Sequence, residues 1–425
     1  MKPRPVVCTH LSVKNKLDFV EKIANKAKEL GAEYVRLDIW WNEIMPEPGK
    51  ISLDNLIKWG EIIGKLRSKD LEIIAILGTG YGSFIYRYPD WVVMQVDKYF
   101  LCLETCSPGP LTEKVSKEIR ASYHSVPNEL EEKIKRSYVE SLKHINIDNF
   151  IENTTLIKEN YPTLYNKLNY DRLKNIYKSR KTVFEKIKTM EDPDKILSTW
   201  DPCGCYHIME DLMQKAYKYS KTVASSFGQD IDYYQLANEL NHFIDLIPRE
   251  WDAIFIYWLS QGLYEDPTDH IGIVNVFADL EKWDINLKNW LETLKNLPAD
   301  TIGIVAIDHY PGTWDFNAPF SDWSKLDELI NIADKYDKRS AIMETGYPTS
   351  GVNHSEENQV TYINEAFKAI MKRSNDHDIE FLSWYMLWDE PGSVEGIYSG
   401  WGVLREDFTK KPGWYTLHNW FTKLR

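Results

Sequence analysis

Short apolar runs alternate with amphipathic stretches along this chain in a strand-then-helix rhythm. Residues 5–9 read as a strand and 16–30 as an amphipathic helix closed by Gly31. Residues 34–39 form a second strand, 53–69 a second helix, and 71–77 a third strand ended by Gly78-Thr79-Gly80. The rhythm resumes with a helix from about Asp211 to Phe227, the run Tyr233-Tyr234-Gln235-Leu236-Ala237-Asn238-Glu239, and a helix over 251–264. Strands at 271–276 and 302–307 follow, with helices at 287–297 and 323–336. A seventh strand ends at Glu344 before a helix over 356–372, and an eighth spans 381–387 before a closing helix over 413–424. Strands that alternate with helices pair in parallel under a helical cover, and eight such units predict an α/β fold, the (β/α)8 TIM barrel.

The rhythm breaks between Asp97 and Tyr206. This stretch is rich in Lys, Glu, Asn and Tyr, with helical periodicity over 129–142 and 172–188 and no strand signal. The expected organisation is a catalytic barrel from residues 1–96 and 207–425, with 97–206 a helical insertion in the loop after strand three. That loop lies on the face where barrels build active sites. A lid, a subsite wall, a homo-oligomer contact and a scaffold elaboration are all open to it.

Two glutamates end apolar runs, Glu239 after strand four and Glu344 in Ala341-Ile342-Met343-Glu344-Thr345-Gly346. A carboxylate is costly in a core but useful at the mouth of a barrel. Strands four and seven face each other across that mouth, and two carboxyls on either side of a sugar are what glycosidic cleavage requires. The amide of Asn238 is placed to hydrogen-bond a sugar 2-hydroxyl.

The Asn-Glu pair after strand four, with a Glu after strand seven, resembles clan A of the retaining glycoside hydrolases, the four-over-seven barrel superfamily. The resemblance covers nearly the whole chain outside the insertion. It implies Glu239 as acid/base and Glu344 as nucleophile, with carboxyls roughly 5 to 5.5 Å apart. Arg36 is similar to the strand-two arginine that holds the nucleophile ionised, and Tyr310, in Asp308-His309-Tyr310-Pro311, to the strand-six tyrosine that orients it. Trp384 is similar to the strand-eight tryptophan, often on a cis peptide, that floors the sugar site. Many clan members carry a histidine at the end of strand three, where this chain has Leu77-Gly78-Thr79-Gly80-Tyr81. Gln359-Val360-Thr361-Tyr362 is similar to a stretch in endo-acting galactanases and mannanases of the clan. Hydrolysis of an oligo- or polysaccharide is the implied reaction, with transglycosylation and a non-catalytic carbohydrate-binding barrel as alternatives.

Further candidates at the mouth are Trp41, Asn275, His309, Trp314 and Trp388 for substrate binding, with Asp389, Glu390 and Glu395 near the eighth loop. The histidines number 10 and are scattered, which disfavours a barrel metal hydrolase; neither metal nor cofactor is expected. With 64 acidic against 51 basic residues the net charge is −13, which disfavours nucleic acid and anionic lipid as partners and suits a neutral sugar. The 16 Trp and 25 Tyr supply flat faces for stacking on pyranose rings. No apolar run is long enough to span a membrane, and the amino terminus lacks the apolar stretch of a secretory signal, so a cytoplasmic protein is expected, with a trimmed secreted form as the alternative. Cys102, Cys106, Cys203 and Cys205 bracket the insertion, open to structural zinc, disulfides or free thiols, while Cys8 lies alone in strand one.

Overall fold

A computed structural model describes residues 2–78, 88–105, 128–144, 170–201, 203–242, 247–265, 270–295, 301–314, 316–391 and 399–425. Thr79, Gly80, Tyr81, Cys106 and Glu395 lie outside the described residues. The strands are β1 (Arg4–Cys8), β2 (Tyr34–Asp38), β3 (Glu72–Ile76), β4 (Tyr233–Ala237), β5 (Ile271–Phe277), β6 (Ile302–Asp308), β7 (Arg339–Thr345) and β8 (Ile379–Trp384). They pair in parallel in chain order, and β8 closes on β1 to complete the barrel.

Both faces of each strand are covered, which is why the runs are apolar almost without interruption. Side chains that alternate inward, Val6, Tyr34, Ile74, Ile273, Ile304, Ala306, Ala341, Met343 and Phe381, fill the barrel. Those that alternate outward join the helices in a second, larger core.

Around the barrel run α1 (Leu17–Leu30), the single turn α2 (Trp41–Ile44) and α3 (Leu53–Arg67). Gly31 at φ 95° ends α1, and the Ser52 hydroxyl caps α3 by accepting the N–H of Asn55. Between β3 and β4 the described helices are α4 (Asp90–Thr105), α5 (Asn128–His144), α6 (Tyr170–Ile187), α7 (Pro193–Trp200) and α8 (Tyr206–Phe227). The remaining helices are α9 (Asp252–Tyr264), α10 (Trp283–Lys295), α11 (Ser324–Lys335), α12 (Glu356–Arg373) and α13 (Pro412–Leu424).

Three boundaries differ from the sequence pattern for local reasons. The α4 helix runs through residue 97 unbroken, because Val92, Val96, Tyr99, Phe100 and Leu103 give it one buried face in the same core as the barrel helices. The α8 helix starts at Tyr206 rather than near Asp211, because the buried Asp201 carboxylate accepts the N–H groups of Cys205 and Tyr206 at 2.8 Å each. The β8 strand stops at Trp384 rather than Leu387. A cis peptide joins Tyr385 to Met386, and the N–H of Leu387 returns to the Cys8 carbonyl.

Cys102 on α4 is bonded to Cys205, just before α8, across a sequence separation of 103. Cys203 is disulfide-bonded as well, and Cys8 is the free cysteine among the described residues. The zinc and free-thiol readings of Cys102, Cys203 and Cys205 are thereby replaced by disulfide chemistry, since a sulfur in a disulfide carries no thiolate to ligate a metal. Among the described residues no helix is long and apolar enough to cross a membrane.

Candidate active site

The carboxyl end of the barrel gathers an unusual concentration of buried polar groups. Alternation along β2 from the inward Tyr34 sends Arg36 into the lumen, and its side chain is 1% exposed. Alternation along β6 from Ile304 and Ala306 does the same for Asp308, which is fully buried.

Glu344 would face outward by strict alternation from Met343. Register shifts between β6 and β7 at Ile307/Asp308 and between β7 and β8 at Ile342/Thr345 turn it to the mouth instead. A further shift at Gln235/Ala237 precedes Asn238 and Glu239. Glu239 itself adopts a left-handed φ of 52°, a conformation that costs a non-glycine residue about 1 kcal/mol.

Arg36 distributes its donors over the site. Nη1 meets Glu344 Oε1 at 2.6 Å, Nη2 meets Asn238 Oδ1 at 2.6 Å, and Nε meets Gln235 Oε1 at 2.7 Å. Tyr310 Oη donates to the other Glu344 oxygen at 2.6 Å. Both oxygens of Glu344 are thus held by donors. Asn275 links the strands: its Nδ2 donates to Asn238 Oδ1 at 3.1 Å and also to Asp308 Oδ2. Its Oδ1 accepts Gln235 Nε2 at 2.8 Å and the Glu239 N–H at 3.2 Å.

Burial would disfavour the Arg36 charge, but Glu344 and the neighbouring acids outweigh it, so its pKa is raised. Burial, reinforced by Glu344, lifts the Tyr310 hydroxyl well above the ordinary phenol range, so it stays a donor. Burial also pushes the Cys8 thiol up to about 12, which leaves it neutral in the barrel. Glu239, Asp308 and Glu344 each present one oxygen within 4.8 Å of the others, the set among the described residues that could chelate a cation. Arg36 already supplies the positive charge there.

The mouth has an aromatic wall beside Glu344. Trp401 lies 5.6 Å from Tyr310, 5.7 Å from Tyr385 and 5.5 Å from Trp314 between ring centroids. Trp314 is the exposed member at the rim, and the buried indole N–H of Trp401 has no hydrogen-bond partner among the described residues. Tyr385 Oη meets His10 Nε2 at 3.2 Å, and His10 Nδ1 meets Asp38 Oδ2 at 3.0 Å. The wall depends on Gly346, where a Cβ would sit 2.0 Å from the Tyr385 carbonyl oxygen.

Four expected substrate contacts lie elsewhere. Trp384 points out of the barrel into the helical layer, near Tyr362 and Phe367, because Phe381 and Ser383 take the inward positions of β8 and leave the next to Tyr385. Trp41 is 2% exposed and stacks on Tyr219, so its face is closed to a sugar. Trp388 stacks on Phe408. His309 spends both ring nitrogens, one on Asp279 at 2.5 Å and one on the Asp322 carbonyl at 3.0 Å, since the residue after an inward Asp308 must face outward. Asp389 is paired with the buried Lys411 at 2.7 Å. Asp308, Tyr385, Trp401, Gln235 and the His10–Asp38 pair were absent from the expected site. For Asp308 the signal was available, as another acid ending a strand, two residues before Tyr310.

No family model matches the sequence, and no curated protein matches it. Solved structures do. A GH5_18 variant from Streptomyces cattleya in complex with Manβ1-4GlcNAc aligns over 100% of this chain and 81% of its own, with a TM-score of 0.56 and 12% identity. A glycoside hydrolase family 5 mannosidase from Rhizomucor miehei aligns over 100% and 94%, with a TM-score of 0.55 and 10% identity. Xylanase 10B from Thermotoga petrophila in complex with xylobiose aligns over 100% and 95%, with a TM-score of 0.55 and 12% identity. At these identities the likeness establishes the (β/α)8 barrel fold.

Proposed function

We propose that this chain is a retaining β-glycosidase acting on an oligo- or polysaccharide. One observation carries the reading. Glu239 and Glu344 face each other with oxygens within 4.8 Å, and Glu344 is gripped by both an arginine and a tyrosine. That spacing fits the short separation, about 5 to 5.5 Å, of carboxyl pairs in double displacement, and leaves too little room for the water of an inverting pair.

In this mechanism a Glu344 oxygen attacks the anomeric carbon while the glycosidic C–O bond breaks and Glu239 gives its proton to the leaving oxygen. Water then attacks the glycosyl-enzyme, returns a proton to Glu239 and frees Glu344. Arg36 and Tyr310 fix the two Glu344 oxygens so that an unshared pair faces the sugar. The Asn238 amide is anchored through its oxygen by Arg36, Gln235 and Asn275, which leaves its nitrogen for a sugar 2-hydroxyl. Trp401 and Tyr385 take the stacking role first expected of Trp384. Solved relatives of the fold carry Manβ1-4GlcNAc and xylobiose, which supports a neutral β-linked sugar for this acidic chain.

The test is intact-protein mass after incubation with 2-deoxy-2-fluoro glycosides bearing activated leaving groups. Fluorine slows both steps and the leaving group rescues the first, so the nucleophile accumulates as an adduct. The expected result is an adduct that maps to Glu344 and is lost in Glu344→Gln. Label on another carboxyl would overturn the assignment.

A further inference from the structure

Two carboxyls suffice for double displacement, yet three meet at this mouth. Asp308 is fully buried, points inward by the regular alternation of β6, and comes within 4.8 Å of both Glu239 and Glu344. Among the described residues the guanidinium nearby is that of Arg36, and it is spent on Glu344, Asn238, Gln235 and the Cys8 sulfur. Asp308 receives an amide hydrogen from Asn275 and a hydrogen bond with the Glu239 carboxyl. A buried carboxyl beside two others and without its own cation keeps a proton or shares one.

Glu344 on β7 opposes ionisation of Asp308, whereas Arg36 on β2 and the hydrogen bonds with Glu239 just after β4 and Asn275 on β5 favour it. Cys8 on β1 and Tyr310 on β6 stay neutral, and Asn275 on β5 carries no charge. Burial comes first among these influences and, with Glu344, holds the Asp308 carboxyl well above the usual carboxylate range.

We propose that Asp308 and Glu239 hold one proton between them, making Asp308 the positioning residue that keeps Glu239 supplied with the proton it donates to the leaving oxygen. The inference rests on the glycosidase reading of the site. Its charge balance is self-consistent. Before the reaction Glu344 carries one negative charge and the Asp308–Glu239 pair another. When Glu344 forms its bond to the anomeric carbon its charge disappears, and the pair gives up its proton to the departing oxygen as the glycosidic bond breaks. The pair then holds both negative charges and the total is unchanged. The charge that kept the proton in place is withdrawn at the moment the proton has to leave. In the second step the attacking water returns a proton to the pair as Glu344 regains its charge.

The experiment is the pH profile of kcat/KM for Asp308→Asn and Asp308→Glu on an aryl glycoside with a poor leaving group. Two adjacent carboxylates resist losing their last proton, so removing one lets the other ionise at lower pH. The alkaline limb of Asp308→Asn is expected to move toward acid by about one pH unit or more, a loss of about tenfold at alkaline pH. Asp308→Glu restores the limb. A 2,4-dinitrophenyl glycoside, whose leaving group needs no proton, should be nearly insensitive to the substitution.

An alkaline limb unmoved in a folded, active Asp308→Asn overturns the proposal. Should that variant fail to fold, Asp308→Ser takes its place, and a chain that tolerates neither assigns Asp308 a structural role and overturns it too. The 2-fluoro glycoside separates the two claims. An adduct on Glu344 in both wild type and variant keeps the glycosidase reading whatever the profile shows. A wild-type chain that forms no adduct and hydrolyses nothing removes that reading and this proposal together.

Discussion

An arginine stands at each end of the barrel lumen, and the two are used in opposite ways. Arg4, at the amino end, lies over the rings of Tyr34, Tyr233 and Phe381 at 5.0, 5.1 and 4.5 Å and pairs with Glu380. It donates to the hydroxyls of Tyr34 and Tyr233, and Glu380 has Arg339 as a second partner at 2.9 Å. There Arg4, Arg339 and Glu380 answer one another's charges. Arg36, at the carboxyl end, answers only one of three converging carboxyls and leaves Glu239 and Asp308 to share the rest of the problem. The difference teaches where a barrel spends stability: the Arg4 cluster pairs its charges, whereas the open end holds three carboxyls around one guanidinium in a conflict that a substrate can resolve.

Exchanging the lumenal arginines for methionine sharpens the contrast. Arg36→Met strands Glu344 in a buried site, so it should cost about 3 to 5 kcal/mol of stability and at least 10²-fold in kcat/KM. Denaturant titration and aryl-glycoside kinetics read the two effects, and retained activity would erase the distinction between the ends. Arg4→Met should cost about 1 to 3 kcal/mol, through lost cation–π and hydrogen-bond contacts. Its kcat/KM should stay within about twofold of wild type, because the amino face of a barrel serves stability.

The smallest effect concerns Asp232, also at the amino end. Burial and a hydrogen bond with Glu72 raise it from the ordinary 3.8 to about 6. A carboxyl raised by folding contributes stability that is present below pH 3.8 and lost as pH rises through about 6, because the unfolded chain releases the proton first. Thermal unfolding of Asp232→Asn at pH 4 and pH 7 should show less decline than wild type, by under about 1 kcal/mol after solvent screening. A larger decline in the variant would contradict the sign.

The barrel was legible because buried parallel strands read as apolar runs bounded by turn residues, and helices between them keep a 3.6-residue period. Glu239 and Glu344 were legible as acids that end such runs. Orientation within a run was not. In Phe381-Leu382-Ser383-Trp384-Tyr385 each face carries large apolar or aromatic side chains, so the alternation does not show that Tyr385 rather than Trp384 looks inward. His309 had the same defect in the opposite sense, since its partners Asp279 and Asp322 are distant in sequence. The register shifts that turn Glu344 inward place an extra residue in β7 between Ile342 and Thr345, and the apolar run of that strand does not reveal it.

The disulfide between Cys102 and Cys205 changes the arithmetic of folding. Ile76 on β3 pairs with Gln235 on β4, a seam about 160 residues wide along the backbone. Through the sulfur bridge the covalent path between them shrinks to under 60 residues. By loop-closure entropy this shortcut lowers the cost of joining those two strands by about 1 kcal/mol. The bond therefore acts as a basting stitch, and reduced chains should join the third and fourth strands more slowly than oxidised ones.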